Sequence, residues 1–479
     1  MRGMSEAGVF HVGGDEISAQ RRFMALLKSR NDAFFVETGL RRLAFVHSYG
    51  CQQNAVDGER ISGMLAECGY VFTDDPKAAD LVVYNTCAVR ENAEDRVFGN
   101  TGALLASKRK NPDKIICLCG CMIQQPESAE KIKKHFPYVD MLVGTHAVHK
   151  FPQLLFEKLQ NGGHVFETPG GDGVIAEELP VMRSDSIYAG VSVMYGCNNF
   201  CTYCVVPNVR GRERSREPGA ILSEVGGLVR GGWKDITLLG QNVNSYGKND
   251  NNKPDFPELF KQCCTFQGDY WVRFMTSHPK DADEALFEVI ASEQHAAKHL
   301  HLPVQSGSDE ILRRMNRRYD AGAYLKKLGA MRKLYPDIAL TSDIIVGFPG
   351  ETENDFQKTL ELVEAVRYDS LYMFIYSPRP NTPAAGYENQ IPQEEKVERF
   401  ERLLALQDKI AEQKHKALVG KTLRVLTEQF EQKHKMWSGK DSGVTRVLFA
   451  GEENENLRGQ FIETEIVSAG RHWVTGRRI

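Results

Sequence analysis

Nowhere in the 479 residues does an apolar run reach the roughly 20 residues that a membrane-spanning helix needs. The longest runs, such as IIVGF and LYMFIY, are strand-sized. The stretch MRGMSEAGVFHVGGDEISAQ has no apolar core of the signal-peptide kind and carries acidic residues early. These two absences predict a soluble cytoplasmic protein with no membrane partner. A strong net charge is missing too. At −3, the total neither demands nor excludes a nucleic-acid partner, and local patches decide that question. One patch stands out, RGRERSRE, with Arg210, Arg212, Arg214 and Arg216 at alternate positions. An even cysteine count is also absent. Eleven cysteines in a large chain without a secretory signal argue against a disulfide framework. Metal ligation or catalysis is the better use for those that cluster.

The length and the 42% hydrophobic content predict several domains. Residues 1–42 read as an extension in which SAQRRFMALLKSR can form a short helix. A strand–helix alternation follows over 43–160. Its strands are LAFVHSYG (43–50), LVVYNT (81–86), KIICLCG (114–120) and MLVG (141–144). Ile61, Met64, Leu65 and Cys68 mark one apolar face of the first helix. Such alternation implies an α/β domain with a parallel sheet covered on both faces. The glycine-rich stretch at 161–174 suits a linker.

A second αβ series occupies 183–414. Its strands are read at 187–194, 236–241, 270–277, 299–305, 338–347 and 371–377. Six strands with intervening helices suit an open or partial (β/α) barrel. A charged helix at about 393–416 closes it. Over 416–479 short β-rich runs separated by turn residues predict a small β-barrel.

Cys197, Cys201 and Cys204 form a C-x3-C-x2-C motif just after a predicted strand. Three thiolates hold three irons of a [4Fe–4S] cluster, which normally takes four ligands. The fourth iron is then open for a substrate to chelate. A structural zinc site needs four ligands, and no fourth Cys or His lies nearby. Upstream, Cys51, Cys87 and Cys121 each follow a predicted strand. Parallel strands align their carboxyl ends along one sheet edge, so cysteines far apart in sequence converge there. That arrangement suits a second three-ligand cluster. In the run CLCGC, only Cys121 lies beyond the strand-ending Gly120, and Cys117 and Cys119 read as small core residues.

The motif C-x3-C-x2-C after a first barrel strand resembles the radical S-adenosylmethionine superfamily. That resemblance implies that the open iron binds the cofactor's amino group and carboxylate. Tyr203 matches the aromatic position that the family places near adenine. LLGQNV, with Gly240, Gln241 and Asn242, stands where the family binds the cofactor's amino group. LPVQSGS, with Gln305 and Ser306, and DIIVGFPGET, beginning at Asp343, end later strands and would line the same mouth. Over about residues 43–479 the chain resembles the methylthiotransferases: an N-terminal cluster domain, a radical core and a C-terminal TRAM β-barrel. GCQQNAVDGERI, NTCAVRENAE, GCMIQQ, GCNNFCTYCVVPNVRGRERSR, VGFPGET and SPRPNTPAA carry the likeness. The first two, together with CVVPNVRGRERSR, are most similar to the tRNA-modifying MiaB-type branch. Asn208 departs from it, standing where that branch often carries Tyr.

The resemblance implies the substrate N6-isopentenyladenosine at tRNA position 37 and a 2-methylthio product. It implies two [4Fe–4S] clusters and two uses of S-adenosylmethionine, one as methyl donor and one as the source of a 5′-deoxyadenosyl radical. A cluster on Cys51, Cys87 and Cys121 would carry the sulfur. The expected partners are the tRNA anticodon stem-loop, a reductant such as flavodoxin or ferredoxin, and a cluster or sulfur supply system, with the chain acting as a monomer. Arg210, Arg212, Arg214 and Arg216 are expected to hold RNA phosphates. The terminal barrel carries ten Lys/Arg against eight Asp/Glu over 417–479, so RNA binding there rests on resemblance rather than on charge. No general acid or base is assigned. Rival readings are a methylthiotransferase for N6-threonylcarbamoyladenosine or a ribosomal protein aspartate, a non-catalytic iron–sulfur electron carrier, and a zinc-dependent RNA-binding module.

Overall fold

A computed structural model describes residues 11–89, 91–248, 250 and 253–479, with the backbone alone for 91–93. The first ten residues of the expected extension and residue 90 of the NTCAVRENAE motif lie outside the described residues. The chain forms two compact units. One comprises Met1–Ser184, Tyr195–Asn198 and Val205–Arg216, and the other Asp185–Met194, Asn199–Cys204 and Glu217–Ile479.

The first unit is built on a six-stranded parallel sheet. Its strands are β1 (Leu43–Ser48), β2 (Val71–Phe72), β3 (Leu81–Thr86), β4 (Ile115–Gly120), β5 (Met141–Val143) and β6 (Val165–Glu167), in the order β2-β1-β3-β4-β5-β6. β3 and β4 are buried along their whole length. LVVY of β3 and IICLCG are apolar on both faces, as buried parallel strands are, and the Asn85 and Thr86 side chains that end β3 are hydrogen-bonded. β1, β3, β4 and β5 are those expected from the sequence. β2, of two residues, is too short for periodicity to find, and β6 lies inside the stretch read as a linker. The expected short helix is instead 25 residues, Gly14–Thr38, closed by Gly39 at φ 72°. Met24 and Leu27 pack with Cys68 in the sheet core, and Asn31 Nδ2 donates to the Cys68 carbonyl at 2.8 Å. This helix is therefore part of the domain rather than an appendage to it.

The second unit holds two parallel three-stranded sheets. One runs β7 (Tyr188–Ser192), β8 (Asp235–Leu239) and β9 (Trp271–Phe274), paired in the order β9-β8-β7. The other runs β10 (His299–His301), β11 (Ala339–Val346) and β12 (Ser370–Ile375). A single parallel bridge, Val272–Ala296, ties β9 to the segment before β10. One apolar core lies under both sheets. This is the partial six-stranded barrel that the alternation predicts. The helix Glu353–Val366 starts with a capping box, in which Thr352 and Asp355 each satisfy the other's backbone N–H. The helix Gln393–Lys416 packs on β12. Beyond it, β13 (Thr422–Glu431), β14 (Met436–Lys440), β15 (Arg446–Phe449), β16 (Phe461–Ala469) and β17 (Val474–Arg478) close a barrel in the order β13-β14-β15-β17-β16.

Candidate functional site

Three cysteines meet at one edge of the six-stranded sheet because their strands are neighbours. β1 pairs with β3 and β3 with β4, in registers that set Ser48 beside Asn85 and Thr86 beside Gly120. Cys87 and Cys121 directly follow those strand ends, and Cys51 is the residue before the helix Gln52–Glu67. Cys87 and Cys121 are buried, whereas Cys51 is exposed. The Cys121 thiol is pushed up to about 12, chiefly by burial, and Cys51 and Cys87 act on it in the same direction. The three thiols are thus within electrostatic reach of one another. A Cβ on Gly50, whose φ is +102°, would lie 2.5 Å from the Cys87 sulfur. Only glycine leaves that thiol its place.

Asn54 ties the edge together. Its Nδ2 donates to the carbonyls of Tyr49 at 3.0 Å and Thr86 at 2.6 Å. Its Oδ1 accepts from Arg210 Nη2 at 2.7 Å and lies 3.6 Å from the Cys121 sulfur. Arg210 also pairs with Asp57 Oδ2 at 2.7 Å and donates its Nε–H to the Cys121 sulfur at 3.2 Å. Burial alone would weaken this guanidinium's hold on its proton. Asp57, then Cys121 and Cys51, outweigh that and keep it firmly charged. A fixed cation therefore stands against a candidate ligand thiol.

This placement corrects one expectation. Arg210, Arg214 and Arg216 are buried, with 6%, 5% and 4% of their surfaces exposed. Arg216 grips Glu177 with Nε at 3.0 Å and Nη2 at 2.7 Å. Arg214 donates Nη1 to the carbonyls of Arg210 and Arg212 at 3.1 and 2.9 Å. Their guanidinium groups lie inside the protein, so they do not present themselves to RNA phosphates. Only Arg212 of the four is exposed.

The C-x3-C-x2-C segment forms a tight loop. Gly196, at φ +78°, has no room for a Cβ against the Arg212 carbonyl, and Cys197 N donates to the Gly211 carbonyl at 3.1 Å. Further on, Cys204 N donates to the Cys201 carbonyl at 3.0 Å. Asn316 Nδ2 holds the carbonyls of Asn199 and Phe200 at 3.2 and 3.0 Å, and Thr202 Oγ1 donates to the Arg314 carbonyl at 2.9 Å. Arg317, 4% exposed, donates Nη1 to the Cys201 sulfur at 3.4 Å and Nη2 to the Pro303 carbonyl at 2.8 Å. Each cysteine group thus contains a sulfur that accepts from a buried arginine.

Residues 191–363 match the Radical SAM superfamily, and residues 43–144 match an uncharacterised protein family, UPF0004. A tRNA-2-methylthio-N(6)-dimethylallyladenosine synthase of Acetivibrio thermocellus is 46% identical over 466 residues, covering 97% of each chain. The chain belongs to the family of these synthases. A second member, from Caldicellulosiruptor saccharolyticus, is 42% identical over 99% of this chain and 100% of its own. Among solved structures, the radical S-adenosylmethionine methyltransferase TsrM of Kitasatospora setae, with cobalamin and a [4Fe–4S] cluster bound, shares the fold. Its TM-score is 0.52 at 14% identity, over 72% of this chain and 77% of that one.

Membership in this synthase family implies two [4Fe–4S] clusters and S-adenosylmethionine, and the donor sets fit them. Thiolates are the ligands that iron–sulfur clusters take. Among the described residues no three His, Cys, Asp or Glu side chains gather around one ion-sized point. Thiolates gripping separate irons of a cluster stand further apart than the ligands of a single ion. At neutral pH the bare Cys121 thiol keeps its proton, which iron must displace.

The expected cofactor residues divide. Tyr203 packs against an apolar cluster that includes Ile311, Met315, Phe348 and Tyr376. Gln305 extends the sheet edge at φ +74°, with its N–H on the Asp343 carbonyl at 2.8 Å and its carbonyl accepting from Ile345 N at 3.0 Å. The Asp343 carboxylate lies 3.5 Å from His301 Nε2, and burial pushes that imidazole down to about 4. Gln241 is half-buried, while Asn242 is buried and donates to Asp281 at 3.0 Å. Gly240 is required by packing, since a Cβ there would meet Met194 Cγ at 2.5 Å. Ser306 corrects its expectation. Its hydroxyl accepts from Ser308 N at 3.2 Å and sits 3.4 Å from Thr359 Oγ1, anchoring the helix Glu353–Val366. Cys117 and Cys119 lie fully buried in the sheet core. Sequence reasoning missed Arg317 and Asn54. Asn54 and Asp57 stand one turn apart in GCQQNAVDGERI, a helical spacing that could have flagged them. No local pattern marks Arg317.

Proposed function

We propose that the chain methylthiolates C2 of N6-isopentenyladenosine at position 37 of tRNA, the base that the relatives' name calls N(6)-dimethylallyladenosine. The observation that carries this reading is identity of 42–47% to these synthases over at least nine-tenths of the chain. The two cysteine groups support it. When bound, a cluster on Cys197, Cys201 and Cys204 supplies the electron that splits S-adenosylmethionine, and one on Cys51, Cys87 and Cys121 supplies the sulfur. A C–H bond on an adenine ring calls for this cofactor chemistry, because no side chain can break it.

The chain's own residues have positioning work. Asn54 and Arg210 orient the loop ends that carry Cys87 and Cys121. Arg210 and Arg317 each place a fixed positive charge on a ligand sulfur, and such contacts tune cluster potential. Tyr203 and its aromatic neighbours offer a surface against which adenine can stack. Lys280 holds the Asn199 side chain at 2.6 Å, keeping the loop before Cys201 in place. The target base must leave its stack, which in a loop costs a few kcal/mol at most. Arg212 is the exposed arginine of its run, which supports reading it as the contact to an RNA phosphate. Among the described residues no helix is long and apolar enough to cross a membrane. The reading places the enzyme in the cytoplasm as a monomer, with a flavodoxin- or ferredoxin-type reductant and a sulfur supply.

Mass spectrometry of tRNA nucleosides from a strain lacking the gene tests this. N6-isopentenyladenosine should persist while its 2-methylthio derivative disappears and returns with the gene. Unchanged 2-methylthio-N6-isopentenyladenosine would refute the substrate.

A further inference from the structure

A small cavity lies in the first unit, beside the sheet edge that carries Cys121. Its volume is about 50 Å³. That is room for about three waters or one small anion, since a water needs roughly 10–15 Å³ on the same measure. It shares Arg210 and Asp57 with the cysteine edge, and Arg60, Arg214 and Tyr195 also line it.

The charge around it does not balance. Arg210 and Asp57 neutralise one another at 2.7 Å. Arg214 is 95% buried, yet among the described residues no carboxylate pairs with it, and its Nε meets no protein acceptor. Burial drives this guanidinium down to about 10, against the distant pull of Asp172 and the Tyr195 hydroxyl. Arg60 lies with its guanidinium 5.7 Å over the Tyr195 ring and likewise has no carboxylate partner among the described residues. The Tyr195 hydroxyl, on a residue 8% exposed, has no hydrogen-bond partner among the described residues. His146, pushed down by burial and then by Arg214, adds no negative charge. Arg214 is thus a buried cation with no paired carboxylate, and its Nε, the Tyr195 hydroxyl and His146 Nε2 all lack partners among the described residues around one cavity, an arrangement that proteins avoid unless something fills it.

We propose that this cavity binds a small inorganic monoanion of halide or hydrosulfide size, held by Arg214 Nε and the Tyr195 hydroxyl. The anion supplies the charge that Arg214 lacks and accepts from both donors. It needs no contact with substrate, so the site stands whether or not the proposed reaction is correct.

Bromide is the probe. Crystals of the full, cluster-loaded chain soaked in sodium bromide should show an anomalous bromine peak in the cavity. That peak should vanish in Arg214→Gln and weaken in Tyr195→Phe. In a second arm, hydrosulfide added with bromide should abolish the peak if hydrosulfide is the preferred ligand and leave it if the site prefers halide. In solution at fixed ionic strength, bromide should raise the wild-type unfolding temperature and leave that of Arg214→Gln unmoved. Should Arg214→Gln fail to fold, Tyr195→Phe carries the comparison in both measurements. A wild-type cavity holding only water, or a bromine peak indifferent to both substitutions, overturns the proposal.

Discussion

Replacing Arg210 by Met separates two accounts of the arginine run. In the structure, Arg210 is buried and holds Asp57 at 2.7 Å, Asn54 at 2.7 Å and the Cys121 sulfur at 3.2 Å. Methionine fills the space of the stem but removes the charge. Among the described residues Asp57, 7% exposed, then keeps Gln53 Nε2 at 3.3 Å. Stranding one partner of a buried pair costs about 3–5 kcal/mol. All four tryptophans lie in the second unit, so fluorescence does not report on this loss. Hydrogen exchange of the β3 and β4 amides does. Where exchange follows global opening, those amides should exchange about a hundred- to several-thousand-fold faster in the cluster-free variant, at a factor of 10 per 1.4 kcal/mol. Arg210→Met with Asp57→Leu should recover most of the protection, because neither charge is then left alone. Were Arg210 a surface phosphate contact, the single variant would change stability by no more than about 0.5 kcal/mol. The salt slope of tRNA binding would instead fall by about one. That pair of results would refute the reasoning.

Arg212→Ala should do the reverse, leaving exchange unchanged and lowering the salt slope of tRNA binding by about one. Gly50→Ala forces a Cβ onto the Cys87 thiol and adds strain at φ +102°, so iron and sulfide analysis should show one cluster's worth lost while reductive cleavage of S-adenosylmethionine persists. Arg317→Met removes a cation from the Cys201 sulfur, and redox titration by electron paramagnetic resonance should find the cluster of Cys197, Cys201 and Cys204 harder to reduce. Burial raises the Asp441 carboxyl from 3.8 to about 6, so the folded chain binds the extra proton between those values and loses stability as pH rises through them. Asp441→Asn should therefore unfold at a higher temperature than wild type at pH 8, with the gain shrinking towards pH 4.

The parts of the fold that periodicity governs were legible. β3 and β4 begin with apolar runs and are buried throughout, and the cysteines that follow them could be aligned because parallel strands share one carboxyl edge. Gly120 separated Cys121 from Cys117 and Cys119 for the same reason. The two-residue β2 left no pattern to read, and β6 was hidden by the glycines around it. The helix Gly14–Thr38 was underestimated because its buried face is made of Gln20, Met24, Leu27 and Asn31, half of it polar. The arginine run misled most. Alternating arginines read as phosphate contacts, but Arg210 and Arg216 are buried against Asp57 and Glu177, acids far away in sequence. Ser306 misled in a related way, since the partner that claims its hydroxyl, Thr359, lies on a later helix.

The division of work between the two cysteine groups is the centre of this account, and reconstitution with isopentenylated substrate tRNA tests it most directly. Wild type and Cys51→Ala are each given S-adenosylmethionine and reductant, and both 5′-deoxyadenosine and methylthiolated adenosine are measured in the same reaction. The account predicts that Cys51→Ala still forms 5′-deoxyadenosine and makes no methylthiolated product. Methylthiolated product from Cys51→Ala at the wild-type level would contradict it.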